Sequence, residues 1–360
     1  MTERGWADAG HVLCVRLDGL GDVLMTTPAL RALREARPGR RLTLLTSPAG
    51  AAVAGLLPDV DEVVVYDAPW VKATAPRTGP EADHAMARRL ADRRFDAAVI
   101  FTVYSQSALP AAMLCFLAGI PRRLAHCREN PYQLLTDWVP ETEPARLVRH
   151  EVRRQLDLVA TIGCRAADER LSLAVPPAAR AGVAALLGAW GLEPRRGWVL
   201  VHPGASAPSR RYPPELFAQV VQGLAAAGHA VVLSGGEDER DLVARIRRAS
   251  GVDARSAAGR LDLAGLAALV EAAPVLVSNN TGPVHVAAAV GTPVVDLYAL
   301  TNPQHGPWAV RHRVLFHDVP CRYCYRSVCP EGHHHCLRLV RPDDVVEAAG
   351  ELLARDPLAA

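Results

Sequence analysis

The chain has 360 residues, enough for about two domains of roughly 150 residues each. Half of its residues are hydrophobic and 22% are charged, so it can bury real cores and lacks the composition of a disordered protein. Forty basic residues against 38 acidic ones leave a net charge of +2, which argues against bulk binding of nucleic acid or a membrane surface.

No stretch reaches the roughly 20 apolar residues needed to span a bilayer. The most apolar window, 108–120, is interrupted by Pro110 and closed by Gly119 and Pro121. The opening MTERGWADAG has no apolar signal core, so the expected location is the cytoplasm. Eight cysteines in this length are not a disulfide scaffold. Cys14, Cys115, Cys127 and Cys164 are scattered, whereas the other four crowd between Cys321 and Cys336.

In chain order, His11 to Leu17 (HVLCVRL) reads as a buried parallel strand. It runs into Asp18-Gly19-Leu20-Gly21-Asp22 and then a helical stretch with Leu24, Leu30 and Leu33 as its apolar positions. Arg41 to Thr46 is the next strand, with a short helix over Ala49 to Leu57. Glu62 to Tyr66 and Asp96 to Phe101 are further strands, separated by a helix over Glu81 to Arg94. A helix follows over Ala108 to Gly119. Strand alternating with helix implies a parallel sheet covered on both faces, hence a doubly wound α/β domain.

Ser172 to Gly197 reads as an interdomain connection, with two prolines, an Ala-rich helix, Pro194 and Gly197. A second alternation follows. Its strands read at Trp198 to His202, His229 to Ser234, Val275 to Ser278 and Val294 to Tyr298. Its helices read at Pro214 to Ala227, Asp238 to Ala249, Leu263 to Ala272 and Val284 to Val290, with a closing helix from Arg341 to Arg355. The boundaries drawn are 1–175, 176–340 and a closing helix in 341–360. Two such halves imply a cleft with ligands at the carboxyl ends of the strands.

Four strand-end loops carry residues suited to chemistry. Asp22 falls at a helix start, where it serves either as a cap or as a general base for an attacking hydroxyl. The dinucleotide fingerprint G-x-G-x-x-G is absent there. His202-Pro203-Gly204-Ala205-Ser206, followed by Ser209-Arg210-Arg211, offers close backbone approach, hydroxyl donors and arginines that pair with phosphate. Ser234-Gly235-Gly236-Glu237-Asp238-Glu239 places carboxylates for ribose or sugar hydroxyls, or for the next helix start. Asn279-Asn280-Thr281-Gly282, with His285 beyond, supplies polar side chains and free N–H groups at a helix start, where an anion is favoured.

Cys321-x2-Cys324-x4-Cys329-x6-Cys336 resembles a metal knuckle, with structural zinc the candidate ion. Structural zinc usually joins two separated ligand pairs, so reduced packing cysteines or a local disulfide remain open readings. The spacing matches neither common ferredoxin pattern.

Several segments resemble glycosyltransferase family 9, the family of the ADP-heptose:lipopolysaccharide heptosyltransferases. They are RLDGLGDVLMTTPALRAL, VLVHPGASAPSRRYPPELF, VVLSGGEDER and VSNNTGPVHVAAAVGTPVVDLY, in the family's order. The cysteine-rich segment also looks like one carried by a branch of the family.

The resemblance implies a GT-B fold of two Rossmann-like α/β domains facing across a cleft. The acceptor site would lie on the first domain, and the nucleotide-sugar site on the second, which also carries the Cys-rich segment 321–336. It implies inverting transfer with Asp22 as base, and Asp18 and Gly21 beside the acceptor. On the donor side it implies His202, Gly204, Ser206, Arg210, Glu237, Glu239, Asn280, Thr281, Gly282 and His285. The implied donor is ADP-heptose and the implied acceptor a saccharide or lipopolysaccharide-type glycolipid, with peripheral contact at the inner face of the membrane and no nucleic acid. The alternatives are another nucleotide sugar with a different glycan or secondary-metabolite acceptor, or a nucleotide-sugar-binding protein without turnover. No cofactor is required by this reading. The family often reads Asn-Asp-Thr-Gly where this chain has Asn280 in place of the aspartate, which weakens any magnesium role there.

Overall fold

The computed structural model describes residues 5–72 and 74–354. The chain divides into two compact units, the first ending at Ser172 and the second starting at Leu173.

The first unit alternates β1 (His11–Arg16), α1 (Leu20–Glu35), β2 (Arg41–Thr46), α2 (Pro48–Ala54), β3 (Glu62–Val65), α3 (Glu81–Ala91), β4 (Ala97–Ile100) and α4 (Leu109–Leu117). It continues through β5 (Arg123–Cys127), β6 (Asp137–Pro140) and α5 (Glu151–Ala160). All six strands are parallel in the order β3-β2-β1-β4-β5-β6. The apolar runs of β1 and β4 lie at the centre, where both faces are covered, which is why they read as unbroken hydrophobic text. Within α1, Pro28 has no N–H for the Leu24 carbonyl, and the Thr27 hydroxyl bonds that carbonyl at 2.7 Å instead.

The second unit runs α6 (Pro177–Ala189), β7 (Trp198–His202), α7 (Pro214–Ala226), β8 (Ala230–Leu233), α8 (Arg240–Ser250), β9 (Arg255–Ser256) and α9 (Leu263–Ala272). It closes with β10 (Leu276–Asn279), α10 (Gly282–Val290), β11 (Val294–Leu297), β12 (His312–Leu315), α11 (His335–Arg338) and α12 (Pro342–Ala354). Its six parallel strands take the order β12-β11-β10-β7-β8-β9, which is the same winding as in the first unit. The closing helix is α12, whose Val345, Ala348, Ala349 and Leu352 join the core beside α7. Arg355, the last residue assigned to that helix from the sequence, lies outside the described residues.

The segment read as an interdomain connection is different in the structure. Its Ala-rich helix, α6, packs on α9, with Val183 and Leu187 buried and Arg180 bidentate to Glu271 at 2.6 and 2.8 Å. A helix with an apolar stripe and a fixed ion pair belongs to the unit it covers.

Each sheet reverses direction of growth once, between β1 and β4 in the first unit and between β7 and β10 in the second. Ligands of open α/β sheets bind outside the carboxyl ends of the strands at such points. Three of the four loops singled out in the sequence follow β1, β7 and β10, and the fourth, Ser234–Glu239, follows β8.

Candidate active site

In the first unit, β1 ends on Arg16, whose side chain is wholly buried. Its guanidinium meets three carboxylates: Asp18 at 2.9 Å, Asp22 at 3.1 Å and Glu151 at 2.7 Å. Burial works against the Arg16 charge, but the three carboxylates more than offset it and hold the group protonated. Glu151, also without solvent exposure, shares its Oε1 with the Gln155 amide at 2.6 Å. Arg16, Glu151 and Gln155 were not singled out in the sequence.

Asp22 is the third residue of α1. One carboxylate oxygen accepts the Gly19 N–H at 3.3 Å and the other meets Arg16, so Asp22 does cap the helix. The cap and the ion pair also orient its carboxylate, whose side chain keeps a quarter of its surface exposed. Gly21 is the second residue of the same helix. Asp18 takes the Gln106 amide at 2.6 Å and is pushed up to about 6, mainly by burial, with Arg16 pulling down and Asp22 pushing up. Beside it, a cavity of about 320 Å³ is lined by Leu17, Trp70, Phe101, Gln106 and Pro110.

In the second unit, Asn279 ties the two switch-point loops together. Its amide donates to the Pro203 carbonyl at 2.7 Å and to that of Gly204 at 3.3 Å, while its oxygen accepts the Tyr212 N–H at 3.0 Å. His202, buried at the end of β7, meets Ser234 Oγ at 3.1 Å and Glu239 at 3.7 Å, and burial lowers its basicity. At Gly204 the Glu239 carboxylate lies so close that a Cβ would sit 1.7 Å from it, so any side chain there would push Glu239 aside. Glu239 also accepts the Gly236 N–H at 2.8 Å. Glu237 is not part of this group, since its side chain is 73% exposed and paired with Arg240.

The two adjacent arginines behave differently. Arg211 folds back onto the carbonyls of Ala205 and Ser206 at 2.8 and 3.3 Å. Arg210 has no side-chain hydrogen bond or ion pair among the described residues, although Asp296 lies within its electrostatic reach. Thr281 is the N-cap of α10, yet its hydroxyl makes no capping bond. A free guanidinium, an unused hydroxyl and the Gly282 N–H at a helix start together suit an anion. His285 is buried on the first turn of α10, and Ser206 is exposed. A cavity of about 1000 Å³ opens beside Ser206, Arg211, Glu239 and Arg245.

The cysteine-rich segment does something the sequence did not suggest. It clamps the turn that carries Arg210: Ser209 N–H donates to Ser327 O at 2.9 Å, Ser209 Oγ to Arg326 O at 2.8 Å, and His334 Nε2 to Ser209 O at 2.5 Å. Cys321 meets His333 Nε2 at 3.8 Å, and Cys336 has its thiol pushed up by burial and by Cys329, Cys321 and Cys324. Despite that proximity, no group of three His, Cys, Asp or Glu side chains among the described residues is arranged to hold a metal ion. All eight cysteines are free of disulfide bonds, so the local-disulfide reading of Cys321, Cys324, Cys329 and Cys336 is not what the structure shows. Backbone bonds to Leu300, Thr301 and Ser209 hold that loop in place.

The model of glycosyltransferase family 9 (heptosyltransferase) matches residues 84–335. The chain belongs to glycosyltransferase family 9. It is a glycosyltransferase with the family's two-unit α/β architecture, of the GT-B class. It is 24% identical to lipopolysaccharide heptosyltransferase 2 of Escherichia coli K12, over 96% of this chain and 99% of that protein. It is 25% identical to lipooligosaccharide heptosyltransferase 2 of Campylobacter jejuni, where the match covers 44% of this chain and about half, 51%, of the relative. The solved structure of E. coli ADP-heptose lps heptosyltransferase II superposes with a TM-score of 0.73 at 23% identity, covering 96% of this chain and 99% of that one. No helix among the described residues is long and apolar enough to cross a membrane.

Proposed function

We propose that this family 9 glycosyltransferase moves a heptose from ADP-heptose onto a hydroxyl of a saccharide or lipopolysaccharide-type acceptor, with inversion at the anomeric carbon. The first unit takes the acceptor and the second the nucleotide sugar. The observation that carries the donor side is the free Arg210 guanidinium in the same unit as a helix start whose N-cap, Thr281, leaves its hydroxyl unused. The names of the relatives, all heptosyltransferases, support the choice of sugar.

In the proposed reaction the acceptor oxygen attacks the anomeric carbon as its proton passes to Asp22. The bond from that carbon to the phosphate oxygen breaks, and its electron pair leaves with ADP. Arg210, Ser206, Thr281 and the Gly282 N–H receive the charge that grows on the diphosphate. The Arg16 pair aims the Asp22 carboxylate, so a proton acceptor is in place before the acceptor sugar arrives. The positive charge for the leaving group comes from the protein, and no step depends on a metal ion. A nucleotide-sugar donor places the reaction in the cytoplasm, and a glycolipid acceptor would draw the enzyme to the inner face of the membrane.

A panel of ADP, UDP, GDP and their sugars, read by thermal stabilisation, tests the donor. A ligand at about 100 times its Kd contributes roughly 2.7 kcal/mol, so the correct nucleotide stands clear of the others. Preference for a nucleotide other than ADP would overturn the donor assignment. Asp22→Asn tests the base: it should bind ADP-heptose normally and lose turnover by about 10²–10⁴-fold. Wild-type turnover in that variant would remove Asp22 from the role.

A further inference from the structure

Asp296 is the one carboxylate of β11, between Val295 and Leu297 in a strand that is buried along its whole length. It is fully enclosed, and one oxygen, Oδ1, has no hydrogen-bond partner among the described residues. Such a group opposes folding unless something else requires it, because buried polar atoms are nearly always satisfied. The other oxygen, Oδ2, accepts the Asn280 side-chain amide at 2.9 Å. The same amide nitrogen donates its second hydrogen to the His305 carbonyl, also at 2.9 Å.

A primary amide has two N–H groups, and both are spent here on acceptors. Turning the amide over would set its oxygen against a carboxylate and a carbonyl. The orientation is therefore determined by the bonding, and the Asn280 Oδ1 is the atom left to face elsewhere. None of the described residues donates to it. Asn280 directly precedes Thr281 and Gly282, which open α10.

We infer that Asp296 is a positioning residue: it holds the Asn280 amide so that a neutral oxygen acceptor is presented to a hydroxyl of the donor sugar. This rests on reading the second unit as the donor unit. It also accounts for the departure at position 280. An aspartate there would put its own oxygen against Asp296 Oδ2 and the His305 carbonyl, so the carboxyl sits one layer deeper and an amide stands in front. Burial pushes the Asp296 carboxyl up to about 8, with the Asn280 bond and Arg210 pulling it down. The pair thus presents less negative charge to a sugar diphosphate than an aspartate at 280 would.

The test compares ADP with ADP-heptose by titration calorimetry on the full chain, because ADP has every phosphate contact and no sugar. Asp296→Leu should leave ADP affinity within about twofold and weaken ADP-heptose about tenfold, the loss of one hydrogen bond. Asp296→Asn should retain most of the sugar preference, since an amide oxygen still accepts from Asn280. Asn280→Asp should lose the preference, and combining it with Asp296→Asn should recover part of it, because the new amide can donate to the new carboxylate. If Asp296→Leu does not fold, the comparison of Asn280→Asp with the double variant decides. An unchanged ratio of ADP-heptose to ADP affinity in Asp296→Leu, or no recovery in the double variant, overturns the inference. Wild-type protein that binds ADP but not ADP-heptose also overturns it, whereas failure to bind either ligand overturns the donor-unit reading beneath it.

Discussion

Arg16→Met removes the single cation from a cluster that holds Asp18, Asp22 and Glu151. Breaking a buried ion pair by deleting one partner costs about 3–5 kcal/mol, because the remaining charge is left uncompensated. A domain of 150–250 residues loses roughly 2–4 °C of melting temperature per kcal/mol, so the first unit should melt about 6–20 °C lower. The loss should depend on pH. Without Arg16 the carboxylates are held above their unfolded values, so the folded state binds extra protons and its stability falls as pH rises through those values. In the wild type Asp18, at about 6, already has this sign, and the variant should exaggerate it. Urea unfolding at pH 5 and pH 7.5 reads the effect, with Arg16→Lys as a control that keeps charge but loses the three-way fork. A cost below about 1 kcal/mol, or the same cost at both pH values, would refute the account of the cluster.

Arg210→Gln removes a charge-assisted phosphate contact and should weaken ADP by about 10–150-fold, checked by calorimetry, while Arg211→Gln should weaken it far less. Ser209→Ala deletes the bond to the Arg326 carbonyl and should cost about 1 kcal/mol in stability, with a several-fold weaker ADP from a looser Arg210 turn. Gly204→Ala displaces the Glu239 carboxylate from the Gly236 N–H and should cost about 1 kcal/mol in urea unfolding, a cost absent when the substitution is made in Glu239→Ala. Asp18→Asn should stabilise the protein more at pH 8 than at pH 5, because it removes a carboxylate that folding prefers protonated up to about pH 6. Chelation with EDTA should leave transfer unchanged, and a loss restored by magnesium or zinc would contradict the metal-free scheme.

The central strands were legible because a parallel sheet buries both faces, and apolar text of strand length has few other uses. Arg41–Thr46, Trp198–His202 and helix Leu263–Ala272 have the ends expected from sequence. The edges were not legible. β6 is DWVP with alternating exposure and a terminal proline, β9 has two residues, and β12 is half-exposed. β5 is hidden for another reason: its Arg123 is buried by bonding the Leu134 and Gln133 carbonyls at 2.7 Å each, so a core strand carries a charge. α5 likewise turns Glu151, Arg154 and Gln155 inward, which inverts the pattern that hydrophobic periodicity reads.

The site divides along the same line. Its loops were visible because strand ends in this fold class carry the ligand, and the residue types there narrow the chemistry. Its supports were not, because Arg16 and Glu151 are 135 positions apart and only the sheet order brings them together. Yet both supports left a trace of one kind. Arg16 ends β1 and Asp296 lies one residue from the end of β11, each an ionisable side chain in a largely apolar buried strand. A strand interior cannot hold a lone charge, so each demands a partner reached from the strand's carboxyl end, which is where ligands bind in open α/β sheets. A charged residue interrupting the last turns of a core strand is therefore a pointer to the functional crevice, and to groups in neighbouring loops whose orientation that charge sets.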